Sequence, residues 1–212
     1  MVGVSCALAL QKRGLSVTLI DRKEPGRETS YGNAGVLAAS SILPLNNPSL
    51  YAKIAGYLGN RHPALNLSWA RAFSRPGWLL RFLWEARPSQ AKARIAALQA
   101  LTASTVERHR ALMAEAGVSH RLRETGTLKL WRTEAGHEAA RAEHDFLKSH
   151  GIESQILDRQ GISGLEPSLN PIFPAGLLIP CVGSVDSPGA VTQAYAALFA
   201  ERDHGDIGFK RA

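Results

Sequence analysis

The sequence predicts an α/β fold: a parallel nucleotide-binding layer, a helical stretch, and then a mixed α+β region. Three observations predict it. Residues 2–21 read as helix, glycine, buried strand and terminal acid, in that order. Residues 49–116 lack strand signals and read as helical. From Gly117 onward short alternating strands are interleaved with helices. The composition allows such a fold. Hydrophobic residues make up 45% and charged residues 20% of 212, which is globular and argues against disorder.

The first element is Val2 to Leu10, apolar and small, followed by Gln11-Lys12-Arg13 and then Gly14. Cations in a last turn and a glycine just beyond it are how helices close. Ser16 to Ile20 (SVTLI) is short, β-branched and apolar, as a buried parallel strand is, and it ends at Asp21. This is the second half of a βαβ nucleotide-binding unit. Its glycine fingerprint needs a strand and two turn glycines before a third glycine at the helix. Gly3 stands where the third belongs, so the first strand and first two glycines are expected to be missing from this chain. Asp21 is the best-argued single residue, because a carboxylate at that strand end accepts hydrogen bonds from an adenosine ribose and repels a 2′-phosphate.

Residues 22–48 are polar and rich in glycine and proline, centred on ETSYGNAG (residues 28–35), whose small residues let backbone N–H groups approach an anion. Tyr51 to Leu58 and Trp69 to Trp84 are expected to be helical, the second interrupted at Pro76-Gly77. Residues 89–116 are expected to form one long helix capped by Ser89. Arg123 to Trp131 alternates after Gly126 as a half-buried strand. Thr133 to His150 reads as a helix closed by Gly151, and Ile152 to Leu157 as a strand. Gly176–Ile179 with Gly183–Asp186 suggests a hairpin, and Ser187 to Glu201 a helix with Pro188 in its first turn.

Charge is uneven. Residues 1–132 hold 19 of the 25 Lys and Arg but 7 of the 18 acids, and ten of those bases fall in 53–110 against Glu85 and Glu107. Such a balance suits an anionic partner: a phosphate-bearing cofactor, an acidic membrane surface or nucleic acid; for the run 53–110 by itself the favoured reading is a solvated helix face. Cys6 and Cys181 cannot build a disulfide framework and are expected to be buried, in a reducing compartment. The seven histidines show no ligand spacing, so no metal is expected. No apolar run reaches the length of a spanning helix, and the N-terminus resembles neither signal nor transit peptide.

In register along the chain, GVSCALALQKRGLSVTLIDR, ETSYGNAGVL, LKLW, LEPSL and GSVDSPGAVTQAY resemble the FAD-dependent D-amino-acid oxidase and dehydrogenase family, in particular the bacterial D-amino-acid dehydrogenases. The resemblance implies a partial Rossmann-like FAD-binding layer and a mixed α+β substrate domain. It places a partial FAD-binding domain at 1–48, a helical segment at 49–116, the substrate domain at 117–186 and a helix returning toward the FAD domain at 187–212. It implies FAD as cofactor, with Gly3, Asp21 and Arg22 toward the adenosine. Thr29, Ser30, Asn33, Ala34, Gly35 and Leu37 would lie along the pyrophosphate and isoalloxazine. It further implies oxidation of D-amino acids or related amines to 2-oxo acids and ammonia by hydride transfer, with no catalytic acid or base assignable in this chain. By that resemblance the chain is an incomplete form, about half the expected length, expected to hold FAD weakly by itself. The expected partners are a small amino acid or amine and, through residues 53–110, a peripheral membrane contact. The expected location is cytoplasmic, at the inner face of the membrane; no nucleic acid is expected. Two alternatives remain from the residues alone: an NAD-linked dehydrogenase, which shares the glycine–strand–acid unit, and a basic module on a membrane surface or nucleic acid.

Overall fold

The computed structural model describes residues 1–51, 68, 74–202 and 205–209. The chain divides into two compact units, Met1–Ser40 with Ser104–Ala212, and Ser41–Ala103.

The larger unit opens with α1 (Val2–Gln11) and β1 (Val17–Asp21), so the expected helix, glycine turn and strand are present and the strand ends on Asp21 itself. The expected burial of that strand is corrected: Thr18, Ile20 and Asp21 are exposed and Val17 and Leu19 half-buried, because β8 is the one strand beside it among the described residues. Strand β1 pairs in parallel with β8 (Gly205–Phe209), from Val17 opposite Gly205 to Asp21 opposite Phe209. A parallel pair needs a crossover between its strands, and everything from Arg22 to Arg202 lies in it. The last part of that crossover is α7 (Pro188–Glu201). Pro188 is at its start and the Ser187 hydroxyl accepts the Ala190 N–H (3.4 Å), an N-cap that satisfies one orphan donor of the first turn. Helix α1 packs on α7: Val4, Ala7 and Leu8 meet Val191, Tyr195, Ala196 and Phe199 in one core, and Gln11 Nε2 donates to the Phe199 carbonyl (3.0 Å). Glu115, at the end of α4 (Thr105–Glu115), accepts from both Lys12 and Arg202, which holds its carboxyl below the usual range.

Two small antiparallel sheets complete this unit. In one, β7 (Gly183–Val185) lies between β2 (Val36–Leu37) and β3 (Leu122–Arg123). In the other, β6 (Ala175–Ile179) lies between β4 (Thr127–Trp131) and β5 (Gln155–Asp158). Helices α5 (Gly136–Ser149) and α6 (Arg159–Leu165) pack on the second sheet. The expected hairpin at 176–186 is therefore corrected: both strands exist, but they enter different sheets. Each finds partners far away in sequence, which local alternation cannot reveal. The cysteine expectation is corrected too, since Cys6 and Cys181 are both exposed.

In the smaller unit, α2 (Pro76–Glu85) begins at Pro76, where the sequence suggested an interruption; proline fits a first helical turn because its missing N–H is not needed there. Helix α3 (Pro88–Thr102) likewise starts at Pro88 with Arg87 as its N-cap, so Ser89 is inside the helix. The single helix expected over 89–116 is two, α3 and α4, broken at Ala103 and Ser104. There Thr102 Oγ1 returns to the Leu98 carbonyl (2.9 Å) and the Ser104 hydroxyl accepts from Arg108 Nε (2.7 Å). The backbone leaves the helical region at Ser104 (φ −97°, ψ 14°), which separates the two helices. Most of the segment expected as a helix at 51–58, and the start of that at 69–84, lie outside the described residues.

One polar pair, the half-buried His109 with the buried Tyr195, gives a pH dependence. His109 on α4 stands 3.0 Å from the Tyr195 hydroxyl through Nδ1, with the two rings stacked. Burial lowers the pKa of His109 and raises that of Tyr195. The unfolded chain therefore binds the imidazole proton more readily than the folded one. This part of the stability is intact above the ordinary imidazole pKa of about 6.5 and declines as the pH falls below it. Urea midpoints followed from about pH 8 down to about pH 5 should fall less steeply for His109→Gln than for the unaltered chain. Parallel curves would mean that His109 titrates alike in both states.

Candidate functional site

Helix α1 starts at Val2, and its N-cap Met1 makes no side-chain cap bond. The first N–H groups of any helix have no partner within it and carry partial positive charge. Strand β1 delivers Asp21 to the same end of the layer. Between them lies a cavity of about 160 Å³, bounded by Met1, by Gly3 and Val4 of α1, by Leu19 to Asp21, by the loop at Pro25–Ser30, and by Thr192 of α7. One wall is thus a helix N-terminus and the other a carboxylate.

The loop is fixed by specific bonds. The Arg22 N–H donates to Asp21 Oδ1 (2.7 Å), while the Arg22 and Lys23 side chains both pair with Glu28 (3.2 Å each). Ser30 is buried, and its hydroxyl accepts from the Met1 amino group (2.9 Å). Asn33 closes the turn that follows: its Oδ1 accepts the Gly35 N–H (2.8 Å) and its Nδ2 donates to the Thr29 carbonyl (3.2 Å). Gly35 then has φ +68°, and a Cβ there would lie 2.1 Å from the Val185 carbonyl oxygen.

Of the residues singled out in the sequence, Gly3, Asp21, Thr29 and Ser30 share the cavity, and Arg22 adjoins it through Asp21. Asn33, Ala34, Gly35 and Leu37 lie further along and do not line it; Leu37 is buried in the core. Among the lining residues that sequence reasoning missed, Gly26, Glu28 and Thr192 matter most. Gly26 has φ +77°, and its missing Cβ allows the loop to approach the Gly189 carbonyl, which a Cβ would meet at 2.5 Å. The Pro25-Gly26 pair was a readable turn signal for it. Glu28 was read only as part of a loop. Thr192, whose hydroxyl donates to the Pro188 carbonyl (2.8 Å), lies within the GSVDSPGAVTQAY stretch but was not singled out from it.

Donor chemistry and space together test what fits. A phosphate suits the helix end, and ribose hydroxyls suit Asp21. Drug-sized ligands occupy roughly 300–1,000 Å³, so about 160 Å³ admits only one portion of a dinucleotide. A larger open groove of about 630 Å³, lined by Glu134, His137, Asp158 and Arg159, has polar groups already engaged: His137 pairs with Glu134 (3.4 Å) and Asp158 caps α6 through the Gly161 N–H. Among the described residues no cluster of His, Cys, Asp or Glu could hold a metal, and no helix is long and apolar enough to cross a membrane.

Helix, parallel strand, terminal acid and shared cavity define a dinucleotide-binding α/β protein. Comparison with known proteins is more specific. Residues 1–209 match the family described as FAD dependent oxidoreductase, and the chain belongs to that family. Its cofactor is FAD, which removes the NAD-linked alternative. The chain is 31% identical to a D-amino acid dehydrogenase of Methylobacterium nodulans over 95% of its own length and 49% of that protein's. It is equally 31% identical to a D-amino-acid oxidase of Bradyrhizobium diazoefficiens, over 92% of the chain and 47% of the relative. The chain thus spans about half the length of the curated relatives it matches. In fold it is similar to glycine oxidase from Bacillus cereus, with TM-score 0.59 and 18% identity over 97% of this chain and 42% of that one. It is also similar to FAD-bound L-α-glycerophosphate oxidase from Mycoplasma pneumoniae, with TM-score 0.55 and 20% identity over 97% and 41%.

Proposed function

We propose that the protein to which this chain belongs oxidises D-amino acids or related amines to 2-oxo acids and ammonia. The observation that carries this reading is the convergence of the α1 N-terminus and Asp21 on one cavity, in a chain whose curated relatives are named for D-amino acids. Bound FAD would accept the hydride from the substrate Cα, and the imine left behind would hydrolyse. The residues of this chain hold and orient. Asp21 accepts hydrogen bonds from the adenosine ribose, the α1 N-terminus with Gly3 takes the pyrophosphate, and Thr29 and Ser30 offer hydroxyls beside it. Arg22, held by Glu28 and Asp21, keeps that carboxylate in place. Asn33, Ala34 and Gly35 would meet the flavin through the backbone, and Leu37 too, since its side chain is committed to the core. The parallel pairing of β8 with β1 supports reading residues 187–212 as the return to the cofactor domain begun by 1–48, with 117–186 on the substrate side and 49–116 a helical segment between them. We also read the basic stretch 53–110 as facing an anionic surface.

The assay is D-amino-acid-dependent dye reduction with ammonia release by the whole protein. Turnover with D- but not L-enantiomers is expected; turnover with glycerol 3-phosphate and with no amino acid would overturn the substrate reading. Asp21→Ala should weaken FAD retention by about 1–3 kcal/mol, roughly 5- to 150-fold, as for lost hydrogen bonds to a charged group. Unchanged flavin content after dialysis would remove Asp21 from the site.

A further inference from the structure

Helix α2 carries six large apolar side chains in ten residues, and none of its residues is buried. Trp78, Leu80 and Trp84 are 62%, 68% and 60% exposed. At about 100° per residue they share one side of the helix with Arg81, while the half-buried Leu79, Phe82 and Leu83 take the other. Single exposed apolar residues are ordinary, but two tryptophans and a leucine on one face form a patch.

The sequence of the unit that carries this patch is one-sided in charge. Residues 41–103 hold eight Lys and Arg against Glu85 alone, which equals the whole net charge of +7; the rest of the chain is balanced. Arg75 precedes the helix, Arg81 points from its exposed side, and Arg87 follows it. An indole ring is at home at the level of lipid headgroups, and arginine can lay its stem on apolar surface while its head reaches phosphate. A basic helix with such a face lies in the plane of a membrane surface, and anionic lipids attract it. Ten residues reach about 15 Å, half of a bilayer core, so the helix lies on the surface. Nucleic acid would ask for open ring faces to stack bases on. Here Phe82 stacks on Trp78 (centroids 5.2 Å apart), the Arg87 guanidinium sits 3.2 Å over Trp84, and Leu80 between them cannot stack.

We propose that α2 docks flat on an anionic lipid surface, with Trp78, Leu80 and Trp84 entering the headgroup boundary and Arg75, Arg81 and Arg87 meeting lipid phosphates. This specifies the residues behind the anionic-surface reading and is independent of the substrate reading, because vesicle binding is measured with no amino acid present.

The full chain is mixed with phosphatidylcholine vesicles, with and without phosphatidylglycerol, and followed by sedimentation and tryptophan emission. Binding is expected only to the phosphatidylglycerol vesicles, with a blue shift, and weakened by salt. The double variant Trp78→Ala/Trp84→Ala, the single Leu80→Gln and the triple Arg75→Gln/Arg81→Gln/Arg87→Gln should each keep the circular dichroism spectrum. The double and triple variants should bind at least tenfold more weakly, and Leu80→Gln measurably so. No binding to phosphatidylglycerol vesicles, equal binding to pure phosphatidylcholine, or undiminished binding by the variants would overturn the proposal. So would a dimer in lipid-free buffer that the double variant dissolves, which would assign the face to a second copy. Tighter binding to single-stranded DNA through the same residues would assign it to nucleic acid.

Discussion

Gly35→Ala should destabilise the larger unit by about 3 kcal/mol or more. Two costs combine. At φ +68° an alanine loses about 1–2 kcal/mol from its backbone alone. Its Cβ would then stand 2.1 Å from the Val185 carbonyl oxygen, a backbone atom with little room to give. The Val185 N–H donates to the Gly35 carbonyl (2.8 Å), and β2 and β7 pair at once through Val36 and Ser184. Gly32→Ala is the control, with a similar φ of +72° and nothing within 4 Å of the added carbon. Urea midpoints should separate the two variants by about 2 kcal/mol. Equal losses would mean that the loop yields and that close approach at Gly35 is not a constraint.

Phe199→Ala should cost about 3–5 kcal/mol, the range for emptying a large buried aromatic site. Phe199 is fully buried between α1 and α7, in the same core as Leu8, Tyr195 and Val191. That core also sets where the α1 N-terminus sits relative to Asp21, so the variant should lose flavin affinity along with stability. Thermal unfolding and bound flavin measured on the same preparation test both. A normal melting temperature would mean that the α1–α7 core is looser than its packing indicates.

What the sequence revealed was local. Strand β1 could be read because SVTLI is apolar between a glycine turn and an acid, and α7 because Ser187-Pro188 marks a capped start. Strand β4 followed from alternation after Gly126. What failed depended on partners distant in sequence. Nothing near Gly176 or Gly183 says that their strands join different sheets. The break between α3 and α4 is a local exception, where the backbone turns out of the helix at Ser104 with no glycine or proline to mark it. At the candidate site, Gly3 and Asp21 were legible from their spacing to a fingerprint. Gly26 and Thr192 enter through the approach of the loop to α7, a contact between residues more than 160 positions apart.

The central claim is that the α1–Asp21 cavity takes the adenosine side of FAD, and competition binding by the two halves of the dinucleotide tests it most directly. Fluorescence titration of FAD into the protein, repeated with AMP or with FMN present, reads which half the site holds. The account predicts that AMP competes with FAD, and that Asp21→Ala weakens AMP and FAD by the same factor while leaving FMN unaffected. Displacement of FAD by FMN but not AMP, with the same constants in Asp21→Ala, would contradict it.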